Sequence, residues 1–317
     1  MREIIRELRE LGFVVDTQSP YASPTLLVPK KTGETRMVVD YRRLNAQTVK
    51  MHYPLPNIDS QLEKLSGYKL FSVLDCAQGY LQVPLSKSAQ EKTAFITEDE
   101  TGQFTRMVFG LTNAPAVFAR LMSKVLGPLK DKIVYCYLDD LLIPSVKWKD
   151  LFERLEKVLE ALRKGGLTLK ISKCEFGKEE IEFLGFLVSK FGIKPGIRKV
   201  KAISEFPKPK NAHEIRRFIG LTGFFRRFIR DYAVKAEPLT RLTRGQVKFD
   251  WQSEQDEAFN ILVNELTSSP ILALYNPEAY TEVHTDASGK GVAGIMLQKG
   301  SDNCLHLTYC VSKILVG

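Results

Sequence analysis

Apolar positions along the chain alternate between helical and strand spacing, with glycine and proline marking the changes. Ile4, Ile5, Leu8 and Leu11 recur every three or four positions and Gly12 ends the run, which predicts a helix over residues 2–12. Pro20 and Pro24 frame an extended entry into Thr25-Leu26-Leu27-Val28, and a turn at residues 31–34 leads into Arg36-Met37-Val38-Val39-Asp40-Tyr41. A hairpin rich in basic residues is expected there. Tyr53-Pro54-Leu55-Pro56 reads as extended, followed by a short helix with Ile58, Leu62 and Leu65 on one face and Gly67 as its stop. Residues 69–75 read as a strand ending on Asp75. Asn113 is expected to cap a helix whose buried stripe is Phe118, Leu121, Met122, Val125 and Leu126.

Further on, Ile133-Val134-Tyr135-Cys136-Tyr137 and Leu141-Leu142-Ile143-Pro144 flank Asp139-Asp140, the pattern of a hairpin with acidic residues at its tip. Residues 150–164 predict a helix with Leu151, Leu155, Val158, Leu159 and Leu162 inward. Strands are expected at 167–171 and 181–188, then a basic helical region from about 196 to 245 and another helix over 252–267. Pro270 and Pro277 mark a connector, and residues 281–286 and 291–298 read as two strands of a new sheet.

At 317 residues the chain can hold two or more domains. No apolar run approaches the ~18 residues of a membrane span, so no membrane partner is expected. The five cysteines form no C-x-x-C pair and no zinc spacing with the histidines, which suggests a reduced intracellular protein without a structural metal. The net charge of +9 is unevenly placed: residues 161–245 hold 20 Lys or Arg against 8 Asp or Glu. Cations alternate there with aromatics, as in Phe224-Phe225-Arg226-Arg227-Phe228-Ile229-Arg230. That fits either solvated helix faces or a surface that tracks phosphates.

Asp is a poor strand residue, so the pair at 139–140 among β-branched and aromatic neighbours marks either plain turn chemistry or a site that uses negative charge. With Asp75, the chain has three carboxylates at strand ends, the requirement of two-metal phosphoryl transfer. Strand alternation places Asp139 on the side of Tyr137 and Tyr135, and Asp140 on the other unless the turn rotates it.

The order of motifs says more than any one of them. Ser19-Pro20-Tyr21-Ala22-Ser23-Pro24, Val39-Asp40-Tyr41-Arg42-Arg43-Leu44-Asn45, Tyr53-Pro54-Leu55-Pro56 and Lys92-Thr93-Ala94-Phe95 come first. Phe109-Gly110-Leu111-Thr112-Asn113-Ala114-Pro115, Tyr137-Leu138-Asp139-Asp140, Phe183-Leu184-Gly185 and Arg226-Arg227-Phe228-Ile229 follow. In this series the chain closely resembles the reverse transcriptases of gypsy-type long-terminal-repeat retrotransposons.

The resemblance implies an α+β, right-hand polymerase fold of fingers, palm and thumb, followed by a truncated RNase H-like α/β domain. Fingers and palm would span residues 1–188, the thumb 189–245, a connection 246–278 and the RNase H-like start 279–317. Asp75, Asp139 and Asp140 would hold two Mg²⁺ ions, with the backbone carbonyl of Cys76 completing the shell. Tyr80 would stand beside the incoming sugar and exclude a 2′-hydroxyl, and Phe109 would pack on the nucleotide. Arg36 with Lys30 or Lys31 would bind the triphosphate, and Phe183-Leu184-Gly185 would grip the primer end. The implied partners are an RNA template with a DNA primer, or an RNA–DNA hybrid, deoxynucleoside triphosphates and the rest of a Pol polyprotein. The cytoplasm, a virus-like particle or the nucleus would be the compartment.

Asp286 in Thr285-Asp286-Ala287-Ser288-Gly289 resembles the first RNase H metal ligand. RNase H chemistry also needs acidic partners, and the sequence stops before the helix that would bring the next one, so no RNase H activity is expected. A sheet without covering helices is also expected to bury too little to stand alone. The alternative class is a nucleic-acid-binding transposon remnant without chemistry. Retention of the three carboxylates, Tyr80 and the fingers cations argues against it, truncation at both ends argues for it, and an RNA-templated RNA polymerase is a third option that Tyr80 disfavours.

Overall fold

The computed structural model describes residues 1–29, 33, 35–54, 56–245, 249–268 and 270–315. Four sheets organise it. Five strands lie in the order Val14–Val15, Thr101–Phe104, Phe95–Ile96, Ser23–Pro29, Thr35–Val39. Four lie in the order Tyr135–Tyr137, Asp140–Ser145, Leu70–Asp75, Glu175–Lys178. Two antiparallel sheets of three follow, Glu180–Phe183 with Phe186–Ser189 and Gly192–Pro195, and Thr281–Ala287 with Gly291–Lys299 and Leu305–Ile314. The chain divides into two compact units, residues 1–56, 72–143 and 149–176 forming one and residues 57–71, 144–148 and 177–317 the other. Among the described residues no helix is long and apolar enough to cross a membrane.

In the first unit, Ile5 of helix Arg2–Glu10 packs with Val14, Val39, Tyr41, Phe95, Phe104 and Val108. Tyr41 donates its hydroxyl to the Thr93 carbonyl at 3.0 Å, so its polar end is satisfied inside that core. The basic hairpin forms as its pattern requires, with Leu27 opposite Met37 and Val28 opposite Arg36. Helices Ala114–Leu126 and Trp148–Lys164 bury Phe118, Met122 and Leu126, and Leu151, Leu155, Val158 and Leu162. Leu121 and Val125 are only half-buried, and Leu159 is 40% exposed, so the inward stripes are narrower than the apolar spacing suggests. Asn113 sits at the cap position without capping: its side chain accepts from the Met51 amide and donates to the Val49 carbonyl.

Two strand expectations change. Residues 167–171 contribute one bridge, Leu169 opposite Cys76, before a 3-10 turn at Ile171–Lys173. The apolar run 181–188 is two strands, because Leu184 and Gly185 adopt φ of 53° and 81° and reverse the chain between Phe183 and Phe186. Positive φ at both central residues is the type I′ pattern, which matches the twist of paired strands.

In the second unit, helices Ile197–Ser204, Ala212–Gly223, Tyr232–Arg241 and Ser253–Thr267 follow the three-stranded hairpin sheet. The last sheet is not bare: helix Tyr232–Arg241 packs on strand Leu305–Ile314, and the Ala233 amide donates to Ser312 Oγ at 2.8 Å. The Leu272 backbone pairs with Ile193, and the next amide, Ala273, donates to the Leu307 carbonyl.

Candidate active site

Strand Leu70–Asp75 is buried on both faces, with Phe71, Ser72 and Leu74 fully enclosed, and lies between two neighbours in its sheet. A near-continuous apolar run suits such a central strand. Its last residue, Asp75, is the first position able to carry charge out of that core. On the neighbouring strand pair, Tyr137 opposes Asp140, so Leu138 and Asp139 form a two-residue loop. Leu138 has φ of 57° while Asp139 keeps a negative φ, the sign pattern of a II′ turn. Asp139 therefore occupies the turn and Asp140 opens the strand behind it.

Asp140 feels both of the other carboxylates. Burial first, then the charges of Asp139 and Asp75, push the Asp140 carboxyl up to about 6. Lys173 partly offsets this charge: its Nζ donates to Asp75 Oδ2 at 3.1 Å. Burial also pushes the thiols of Cys76 and Cys136 up to about 12, so both stay protonated and unreactive near neutral pH. The bridge facing Leu169 is closed by the Asp75 carbonyl and the Ala77 amide, which leaves the Cys76 carbonyl out of it.

Beyond Asp75 the chain enters a 3-10 turn, Gly79–Gln82. Tyr80 stands there with its ring 4.7 Å from Phe109 and edge-on to Phe118 at 5.6 Å. Burial and the Asp139 charge both raise its hydroxyl pKa, which sets the phenol on the acidic side of the site. Gly79 is where Tyr80 needs a close approach, since an added Cβ would lie 3.1 Å from the Phe118 ring. Gln82 braces the loop: its amide donates to the Ala77 and Thr168 carbonyls at 2.7 and 3.0 Å and accepts the Thr168 N–H at 2.8 Å. Phe109 is 54% exposed, an aromatic face left open beside the half-buried Tyr80.

The structure thus gathers Asp75, Cys76, Tyr80, Phe109, Asp139 and Asp140. Arg36 is on the basic hairpin of a different sheet, and Lys30 and Lys31 lie outside the described residues. Phe183, Leu184 and Gly185 form the tip of a hairpin in the second unit, held by the Gly196 amide donating to the Gly185 carbonyl at 2.9 Å. Asp286 lies on the exposed strand Thr281–Ala287, where its Oδ1 accepts the Ala287 amide, and lines a small cavity with Arg230, Asp231 and His284. Lys173, Gln82 and the contact of Phe118 with Tyr80 were not expected from sequence.

Among the described residues, no three carboxylate, imidazole or thiol groups already converge on one ion-sized point. The donor chemistry nevertheless suits a hard divalent cation, because Asp75, Asp139 and Asp140 offer carboxylate oxygens and crowd negative charge around Asp140. Lys173 provides a positive charge at Asp75.

This acidic hairpin, the central strand that ends in Asp and the aromatic shelf next to them belong to a right-hand polymerase fold. The chain belongs to the reverse transcriptase (RNA-dependent DNA polymerase) family, whose profile matches residues 28–188, just over half of its length. Residues 251–317 match the RNase H-like domain found in reverse transcriptase. It is 40% identical over 302 residues to the retrovirus-related Pol polyprotein from transposon 297 of Drosophila melanogaster, covering 93% of this chain and 28% of that protein. To the corresponding polyprotein from transposon gypsy of the same organism it is 34% identical over 314 residues, covering 93% and 30%. The chain thus spans under a third of these relatives. Among solved structures it is similar to a foamy viral protease–reverse transcriptase in complex with double-stranded DNA, with TM-score 0.89 and 25% identity, covering 99% of this chain and 55% of that one.

Proposed function

We propose that this chain is the polymerase part of a retrotransposon Pol polyprotein and extends a primer 3′-hydroxyl with deoxynucleotides on an RNA template. One observation carries the reading: the half-buried Asp140 feels the charges of Asp139 and Asp75 from the ends of neighbouring strands, with the Tyr80–Phe109 shelf beside them. Family membership and the similarity to a protein solved with double-stranded DNA support it.

Asp75, Asp139 and Asp140, with the Cys76 carbonyl, are the groups that would hold divalent ions, for which two Mg²⁺ are the choice their oxygen chemistry favours. Bound there, such ions would lower the pKa of the primer hydroxyl and neutralise charge on the transferred phosphate and leaving pyrophosphate. The protein's own part is positioning. Tyr80 and Phe109 present a rigid aromatic surface to the sugar and base, and the Tyr80 ring would leave no room for a 2′-hydroxyl. Arg36 supplies a cation for the triphosphate, with Lys30 and Lys31 as its neighbours in sequence. The Phe183–Gly185 turn would hold the primer end, and the basic helices between 189 and 245 would act as a thumb along the duplex phosphates. Residues 1–188 would then be fingers and palm, 246–278 a connection and 279–317 the RNase H-like part.

Primer extension on an RNA template with Mg²⁺ tests the reading. Asp139→Asn should abolish incorporation while primer–template binding survives. Extension by that variant at the wild-type rate would remove Asp139 from the site.

A further inference from the structure

The stretch Arg226-Arg227-Phe228-Ile229-Arg230 makes all three arginines candidates for contacting phosphates, yet the structure separates them. Arg226 and Arg230 are exposed, whereas Arg227 is 8% exposed and turned into the protein. Its Nη1 donates to Asp59 Oδ1 at 2.9 Å, and its guanidinium carbon lies 4.5 Å from the centroid of the Phe186 ring. Phe186 is fully buried, stacked on Phe224 at 5.2 Å and edge-on to Phe225 at 5.5 Å. It is also the first residue after the Leu184-Gly185 turn. Asp59 is itself fixed, because the Asn57 side chain accepts the Asp59 amide at the start of helix Ile58–Glu63.

Stability alone does not account for this arrangement, since a buried ion pair often contributes no more than well-packed apolar groups of the same volume. A guanidinium adds direction. One nitrogen reaches Asp59 while the group sits over an aromatic ring, so two elements are tied together. We propose that Arg227, oriented by Asp59, is a positioning residue that clamps Phe186 and thereby fixes the Phe183–Phe186 hairpin against the primer terminus. The clamp stands on geometry; the task given to the hairpin rests on the function proposed above.

The experiment compares the full chain with its Arg227→Met and Asp59→Asn variants. Single-nucleotide addition is measured at saturating primer–template, duplex affinity by fluorescence anisotropy, and hydrogen exchange at the amides of residues 183–187. Both variants should lower the saturating rate about tenfold or more, as small displacements of a reacting terminus do. Duplex Kd should stay within about threefold, because the exposed cations that track phosphate are untouched, and exchange at the hairpin should rise. Asp59 is half-exposed, so Asp59→Asn keeps the fold and carries the test alone where Arg227→Met does not fold. Unchanged exchange in a folded variant refutes the clamp. Raised exchange with an unchanged saturating rate, or an effect confined to duplex Kd, refutes the positioning role. If the wild-type chain extends no primer, the polymerase reading fails, and hydrogen exchange still decides whether the clamp exists.

Discussion

The ammonium group of Lys173 lies 3.1 Å from Asp75 Oδ2, bringing a cation from a 3-10 turn onto the carboxylate that ends the central strand. A cation needed for catalysis would compete with it. Lys173→Met should therefore lower the Mg²⁺ concentration giving half-maximal primer extension by about two- to fivefold, the size expected for losing a partly exposed ion pair. An unchanged or higher requirement would show that Lys173 does not compete for this carboxylate.

Asp140 provides a prediction about pH. Its carboxyl is raised from an ordinary 3.8 to about 6 by burial and by its acidic neighbours. A folded value above the unfolded one gives stability that is complete below about pH 4 and lost as pH rises through about 6. Asparagine carries no charge at either extreme. In denaturant unfolding without divalent metal, Asp140→Asn should exceed wild type by about 1–2 kcal/mol at pH 8, after discounting for partial exposure. The two should coincide near pH 4. A constant difference across that range would exclude the raised carboxyl as its source.

Tyr80 is held by Phe109 and Phe118, so its ring has little freedom to move aside. Tyr80→Val should raise ribonucleotide incorporation relative to deoxynucleotide by about ten- to a hundredfold, corresponding to ~1–3 kcal/mol of lost discrimination. Tyr80→Phe should retain the selectivity. Steady-state incorporation of each nucleotide type measures both, and unchanged selectivity in the valine variant would end the steric role.

Gln82 joins Thr168 by two hydrogen bonds and the Ala77 carbonyl, in the segment after Asp75, by a third. Gln82→Ala should cost about 1–3 kcal/mol in urea unfolding, since groups on both sides lose partners. It should also lower the extension rate, because Tyr80 is carried on the same turn. A stable variant with full activity would show that the loop holds its shape by backbone bonds alone.

Local periodicity made much of this molecule legible. Strand Leu70–Asp75, the acidic hairpin and the longer helices follow from apolar spacing and turn residues, whereas the short polar helices Arg42–Gln47 and Lys87–Lys92 bury no residue and give no such signal. The failures share a cause. Residues 167–171 have strand-like composition, but their backbone finds one partner position, Cys76, before the chain turns. The run 181–188 hides a reversal because Leu184, unlike Gly185, gives no sign that it adopts positive φ. Lys173 and Gln82 could not be assigned from sequence, as their partners lie 98 and 86 residues away. Arg227 is the sharpest case, since only tertiary burial distinguishes it from Arg226.

The packing of helix Tyr232–Arg241 on strand Leu305–Ile314 has a consequence for how the molecule is inherited and dismantled. Sequence suggests a modular junction near residue 279, but the wall of the last sheet is built from a helix made some 50 residues earlier. Cutting the gene at that junction would part the helix from the strand it packs on and expose a contact face on both fragments. Recombination between related elements should therefore conserve the helix and the strand as a pair, and both should melt in one cooperative transition.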